Sequence, residues 1–187
     1  IHHVSARRDG PFVAFNSACI PKDVAENELF GHEKGAFTGA DQPATGLFEQ
    51  AAGGTIFVDE VSALAPAVQA KLLRVLGERR LRRVGGRADI TVDCRVIAAA
   101  NCDLREAVAK GEFRRDLLYR LEVFPVDLPP LRERPEDFPL LMDHFRREFN
   151  REYGRNVAGF PPRVLDRLLR YEWPGNVREL RNVVERL

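Results

Sequence analysis

"GGTIFVDEV", residues 53–61, packs a glycine pair, an apolar run and two carboxylates into one short segment. Gly53 and Gly54 punctuate, and Ile56, Phe57 and Val58 then follow without polar alternation. Such a run reads as a strand buried on both faces, the habit of a parallel sheet. Asp59 and Glu60 come directly after it. Ligands of open α/β sheets bind beyond the carboxyl ends of the strands. Charges placed there stay hydrated and escape the heavy cost of burial. An Asp at that point can hold the water shell of Mg²⁺, and a Glu beside it can act as general base on an attacking water. The same pair also reads as a solvated strand end, so its neighbours decide between the two.

Working outward, "GPFVAFNSA" holds a second strand over Phe12 to Phe15, "CRVIAAAN" a third and "LEVFPVDL" a fourth. "APAVQAKLLRVLGER" (65–79) places Val68, Leu72, Leu73, Val75 and Leu76 at helical spacing, with Pro66 in the first turn. Alternating strands and helices predict an α/β fold: a mostly parallel sheet sandwiched by helices. "RRLRRVGGRADITVDCR" (79–95) interrupts that rhythm, and Gly85-Gly86 marks an inserted hairpin. After the proline-rich connector "LPPLRERPED" the pattern turns purely helical. Phe138, Leu141, Met142, Phe145 and Phe149 make one stripe, and Val164, Leu165, Leu168 and Leu169 a second. Val177, Leu180, Val183, Val184 and Leu187 make a third, behind an Asn176 N-cap with Glu179 three residues on. These patterns predict an α/β part over 1–135 and a small all-α lid over 136–187.

The 187 residues are 44% hydrophobic and 30% charged, which supports a packed core and excludes a disordered chain. A formal net charge of +1 names no partner. Cys19, Cys94 and Cys102 are odd in number and lack CxxC spacing, which fits a reducing, cytoplasmic setting better than a disulfide framework. No apolar run approaches the ~20 residues needed to span a bilayer, and the start has no leader-like apolar stretch. His2, His3, His32 and His144 show no metal-ligand spacing.

Several further sites carry more than one reading. In "GAFTGA" (35–40), Phe37 sits between Gly35 and Gly39, either as a loop tip offered to a partner or as a turn folded onto its own domain. Asn101 either orients water and touches a terminal phosphate or simply turns the chain. In "FRRDLLYRL", Arg114 and Arg120 either solvate a helix or serve a phosphate on a neighbouring subunit. Arg178 stands in the first turn of the last helix, where the dipole disfavours a cation and an outside anion would explain it. The helices joined by "WPGN" lack the basic face of a DNA-reading helix-turn-helix. The arginines at 79, 80, 82, 83 and 87 either touch nucleic-acid phosphates or form a solvated or subunit-contacting face.

The ordered set "ELFGHEKGAFTGA", "GGTIFVDEV", "VIAAANCDL", "FRRDLLYRLEVFPVDLPPLRER" and "WPGNVREL" resembles the AAA+ central domain of bacterial sigma-54-dependent transcriptional activators, over essentially the whole chain. The resemblance implies an ATPase that remodels the sigma-54 RNA polymerase closed complex, with ATP and Mg²⁺ as cofactors. It implies magnesium and catalytic carboxylates at Asp59 and Glu60, a sensor at Asn101 and trans-acting arginine fingers at Arg114 and Arg120. It also implies a second sensor at Arg178, and an Asn16 that holds the Glu60 carboxylate. Gly35, Ala36, Phe37, Thr38, Gly39 and Ala40 would engage sigma-54, and the 79–95 hairpin would be a second pore loop. Partners implied are the polymerase, further copies in a ring, commonly a hexamer, and enhancer DNA through a separate C-terminal domain. A membrane is not among them. Two departures stand out. Ala100 replaces a usual threonine, and the phosphate-binding GxxxxGK[ST] string, expected upstream of Ile1, is not within these residues. The chain as written is therefore expected to bind ATP weakly or not at all. The alternatives are a non-catalytic sigma-factor binder and an AAA+ remodeller of another client.

Overall fold

The computed structural model describes the backbone of residues 1–187 and every side chain except those of residues 22 and 23. Its chain divides into two compact units, Ile1–Pro125 and Val126–Leu187. The proline-rich connector thus falls inside the second unit.

The first unit contains, in order, β1 (Phe12–Asn16), α1 (Lys22–Phe30), β2 (Gly31–His32), β3 (Ala44–Thr45), α2 (Leu47–Gln50) and β4 (Thr55–Asp59). Then come α3 (Pro66–Glu78), β5 (Arg80–Leu81), β6 (Ile90–Thr91), β7 (Arg95–Ala98), α4 (Leu104–Ala109) and α5 (Arg115–Leu121). β4 is the middle strand of a parallel sheet ordered β1-β4-β7. Its Thr55, Ile56 and Val58 are buried, as an apolar run between two neighbours requires. Phe15, Leu29, Phe30, Phe48, Val68, Leu72 and Leu117 join them in one core. Each fully buried side chain of this size contributes about 1.5–3 kcal/mol relative to exposure. The hairpin expected around Gly85-Gly86 is present, with β5 antiparallel to β6 and Gly85 at φ +74°.

The fourth strand does not form. Residues 122–130 are irregular, and Val123, Phe124, Val126 and Leu128 are 63–88% exposed. An extended segment becomes a strand only through a ladder to a neighbour, and β7 pairs with β4 alone. Apolar alternation gave the segment β character without giving it a partner.

The second unit is helical, with α6 (Asp137–Glu152), α7 (Pro162–Leu169) and α8 (Asn176–Arg186). Phe138, Met142, Phe145 and Phe149 bury the α6 stripe against Leu131, Trp173, Leu180 and Val184. The expected cap of α8 is rearranged. Asn176 lies in the left-handed region at φ +51°, and its Oδ1 accepts the Leu131 N–H at 2.8 Å. Glu179 instead accepts the Gly175 N–H at 2.9 Å. A left-handed Asn cannot aim its carbonyl back at the helix's first amides, so the carboxylate one turn on closes that end.

Candidate functional site

The parallel register brings Asn16, Asp59 and Asn101 to one edge of the sheet. Asn16 and Asp59 are direct register partners, and Asn101 follows the strand that pairs on the other side of β4. The Asn16 amide donates from Nδ2 to Asp59 Oδ2 at 3.0 Å, and its Oδ1 accepts the Ala18 N–H at 2.9 Å. The carboxylate that Asn16 holds here is therefore Asp59 and not Glu60. The chain turns sharply after Asp59: Glu60 adopts φ +55°, ψ +47°, and its N–H bonds Asp59 Oδ1 at 3.1 Å. The Val61 N–H then reaches the Ala99 carbonyl at 2.9 Å, tying this turn to the segment that carries Asn101. The Glu60 carboxylate makes no hydrogen bond among the described residues and is half-exposed, a proper condition for a base that must meet water.

Each Asp59 oxygen accepts one hydrogen bond and keeps a lone pair. No cluster of three metal-ligating side chains forms among the described residues. A single carboxylate with spare lone pairs suits Mg²⁺ held largely through water.

Arg114 and Arg120 lie at opposite ends of α5. Arg114 is the residue before its first turn, and its guanidinium forks onto Asp116 at 2.9 and 2.6 Å. That pairing lowers the Asp116 pKa. Arg120 donates through Nε and Nη2 to the Leu76 carbonyl at 3.2 Å, capping the end of α3. Neither arginine bonds the carboxylates at the sheet edge within its own chain.

The GAFTGA loop is a tight turn closed by its own backbone. The Gly35 N–H bonds the Ala40 carbonyl at 2.8 Å, and the Ala40 N–H bonds Phe37 O at 3.0 Å. Gly35 and Gly39 take φ +80° and +98°, yet a Cβ at either would meet nothing within 4 Å. Glycine is needed there for conformation rather than for space. Phe37 is 43% exposed, and the rest of its ring meets the edge of His32 at 5.0 Å between centroids. It is neither free of its domain nor buried in it. Beside it lies a cleft of ≈ 230 Å³ that Asn27 and His32 help to line. Their buried Oδ1 and Nδ1 lack partners among the described residues.

The hairpin grips the base of this loop. Arg83 forks onto Glu49 at 2.8 and 2.9 Å and reaches Glu33 at 3.3 Å. The pairing holds Glu49 below its ordinary 4.5. A Cβ at Gly85 would lie 2.9 Å from the Ala36 Cβ, so the hairpin tip touches the loop itself. The arginine cluster is partly paired: Arg82 meets Asp89 at 2.6 Å and Arg79 meets Asp93 at 2.9 Å, carboxylates that Arg74 and Arg7 share. Three residues that matter here were not singled out from the sequence. Glu33 and Glu49 meet Arg83 across 50 and 34 residues, a distance no local pattern spans. Gln69 is buried and bonds the Arg114 amide. Its signal was available, since Gln69, Leu72, Leu73 and Leu76 share one helical stripe, and a polar residue on an apolar stripe has a buried task.

In the second unit, Arg178 is exposed in the first turn of α8 and has no hydrogen-bond or ion-pair partner among the described residues.

No helix among the described residues is long and apolar enough to cross a membrane. The chain is 53% identical over 186 residues to the Nif-specific regulatory protein of Herbaspirillum seropedicae, covering 100% of this chain and 34% of that protein. It is 57% identical to the nitrogen fixation protein VnfA of Azotobacter vinelandii, over all of this chain and 36% of that one. With the DNA-binding transcriptional regulator NtrC of Azospirillum brasilense the identity is 54%, over 100% and 39%. The chain thus spans about a third of the length of these relatives. Its fold superposes on NtrX of Brucella abortus in complex with ADP at a TM-score of 0.91 and 39% identity, covering 99% of this chain and 40% of that one. The same protein in complex with ATP gives 0.91 and 38%, over 98% and 40%. Residues 132–187 match the AAA+ ATPase lid domain family. Residues 1–127 match the sigma-54 interaction domain, and the chain belongs to that family of AAA+ transcriptional activators.

Proposed function

We propose that this chain is the motor of an ATP-driven activator that opens promoter DNA through sigma-54 RNA polymerase in the bacterial cytoplasm. The observation that carries the reading is the joining of two features in one unit: a carboxylate-tipped parallel sheet and a glycine-hinged aromatic loop gripped by a neighbouring hairpin. The intact protein works as a ring, a hexamer, and reaches enhancer DNA through a separate domain. These 187 residues alone bind ATP weakly or not at all.

Bound Mg²⁺–ATP supplies a γ-phosphoryl group whose transfer to water releases the energy used. Asp59 would hold Mg²⁺ through its water shell, and the ion would neutralise charge on the phosphates. Glu60 takes the proton of the attacking water at its carboxylate, and Asn101 orients that water. Arg178 acts as a sensor of the nucleotide. Arg114 and Arg120 serve the site of the adjacent protomer, which fits hydrogen bonds that go to Asp116 and the Leu76 carbonyl rather than to the sheet-edge carboxylates of their own chain. An arginine finger is worth about 10³–10⁵ in rate. Asn16, by bonding Asp59 rather than Glu60, leaves the base free in this conformation. Movement of the strand tip passes to the hairpin and through Arg83 to Glu33, Glu49 and the loop, which presents Phe37 to sigma-54.

The test is promoter melting by the intact protein with polymerase carrying either sigma-54 or the housekeeping sigma factor. ATP-dependent melting with sigma-54 alone is expected. Melting with both, or melting without ATP hydrolysis, would contradict the proposal.

A further inference from the structure

Gln69 is 1% exposed, on a helix face where leucine would fit at lower desolvation cost. Both of its amide donors and its carbonyl oxygen are directed at backbone in two other segments. Nε2 donates to the Leu64 carbonyl at 2.8 Å and to the Glu112 carbonyl at 3.1 Å. Oε1 accepts the Arg114 N–H at 2.9 Å. Leu64 ends the short 3₁₀ turn Val61–Ala63 that begins directly after Glu60. Arg114 and Glu112 lead into α5. One side chain therefore ties the segment behind the Glu60 turn to the residue that starts the arginine-bearing helix. The other end of the same contact is Arg120 on the Leu76 carbonyl, so α3 holds α5 at both ends.

We propose that Gln69 is a positioning residue that sets Arg114 against the segment following Glu60 of its own chain. The inference rests on the reading of Arg114 as a finger for a neighbouring protomer. On that reading Glu60 and Arg114 of one chain serve two different nucleotide sites, and Gln69 bonds the segment that follows the first and the backbone amide of the second. A register error of about 1 Å at such a group can cost on the order of 100-fold in rate.

Two measurements on the intact protein test this. The first needs no nucleotide. In Gln69→Met, amide exchange at Arg114 should quicken at least tenfold while β4 keeps its protection. Unchanged exchange, or equal loosening across the whole first unit, would overturn the proposal. The second uses mixed rings of Glu60→Gln protomers, which keep a finger, and Arg114→Ala protomers, which keep a base. Gln69→Met in the finger donor should lower kcat about 10- to 100-fold with little change in KM, and in the base-bearing protomer by less than about twofold. Equal losses in both placements would overturn the positioning role alone. Full hydrolysis by rings made only of Arg114→Ala protomers would overturn the finger reading and this inference with it. If Gln69→Met fails to fold, Gln69→Glu replaces it. As a neutral acid it can still donate to one carbonyl and accept from Arg114, but as an anion it faces two carbonyl oxygens. Its defect should deepen as pH rises, and a defect independent of pH would count against the proposal.

Discussion

Glu60 is the residue at which strand becomes site. Its left-handed backbone, φ +55°, costs a non-glycine residue about 1–2 kcal/mol. The cost is borne because the turn lets the Glu60 N–H bond Asp59 while its carboxylate swings clear. Sequence reading found both carboxylates from their place after an apolar run. It could not find the turn, because glutamate carries no left-handed signature. The same limit explains Asn16. Its position at a strand end was legible, but which carboxylate it bonds depends on side-chain direction across parallel strands. The cysteines offer a check of this packing. Burial pushes the Cys94 thiol up to about 11, whereas Cys19 and Cys102 are exposed. Iodoacetamide at pH 8 should alkylate Cys19 and Cys102 and spare Cys94. Equal labelling of all three in the folded protein would contradict the sheet packing around β7.

At the scale of elements, the hairpin and the loop act as one assembly. The paired side chains of Arg83 and Glu49 are only 20% and 16% exposed, so their fork is worth about 1 kcal/mol, the upper end for pairs near a surface. Glu49 titrates lower in the folded chain than in the unfolded one. Its contribution is thus complete above the ordinary carboxylate range and fades as pH falls through the lowered value. Arg83→Met should therefore be less stable than the parent chain by about 1 kcal/mol near neutral pH, and the gap should narrow as pH falls below the ordinary carboxylate range and close once Glu49 is protonated in the folded chain. Thermal unfolding of both proteins across that range measures it, and a gap unchanged at acid pH would contradict the pairing. The hairpin itself was legible from Gly85-Gly86 between short β-prone runs. Its grip on the loop was not, since Arg83 looked like one member of a solvated basic cluster. The helices were legible wherever an apolar stripe recurred, as in α3 and α6. The α8 cap was misjudged because Asn176 is used across the second unit, on Leu131.

For the whole molecule, the parallel α/β unit and the helical second unit follow directly from the order of apolar runs. The segment 122–130 shows where such reading stops. Val123, Phe124, Val126 and Leu128 have strand-like character, but a strand is a property of two segments and the pattern describes only one. The proposed motor must couple two surfaces on one unit: the sheet edge with Asp59 and Glu60, and the Phe37 loop. Phe37 is nearly half exposed and rests on the ring of His32, so its truncation should cost about 1–2 kcal/mol and leave the fold intact. Hydrolysis and partner engagement can therefore be separated in a single variant. The most direct measurement is ATP turnover and sigma-54 promoter melting by the intact Phe37→Ala protein. Turnover within about twofold of the parent with melting lost at least 100-fold is the expected result, since interface aromatics of this kind carry several kcal/mol. Melting retained at the parent level would contradict the coupling of sheet edge to loop.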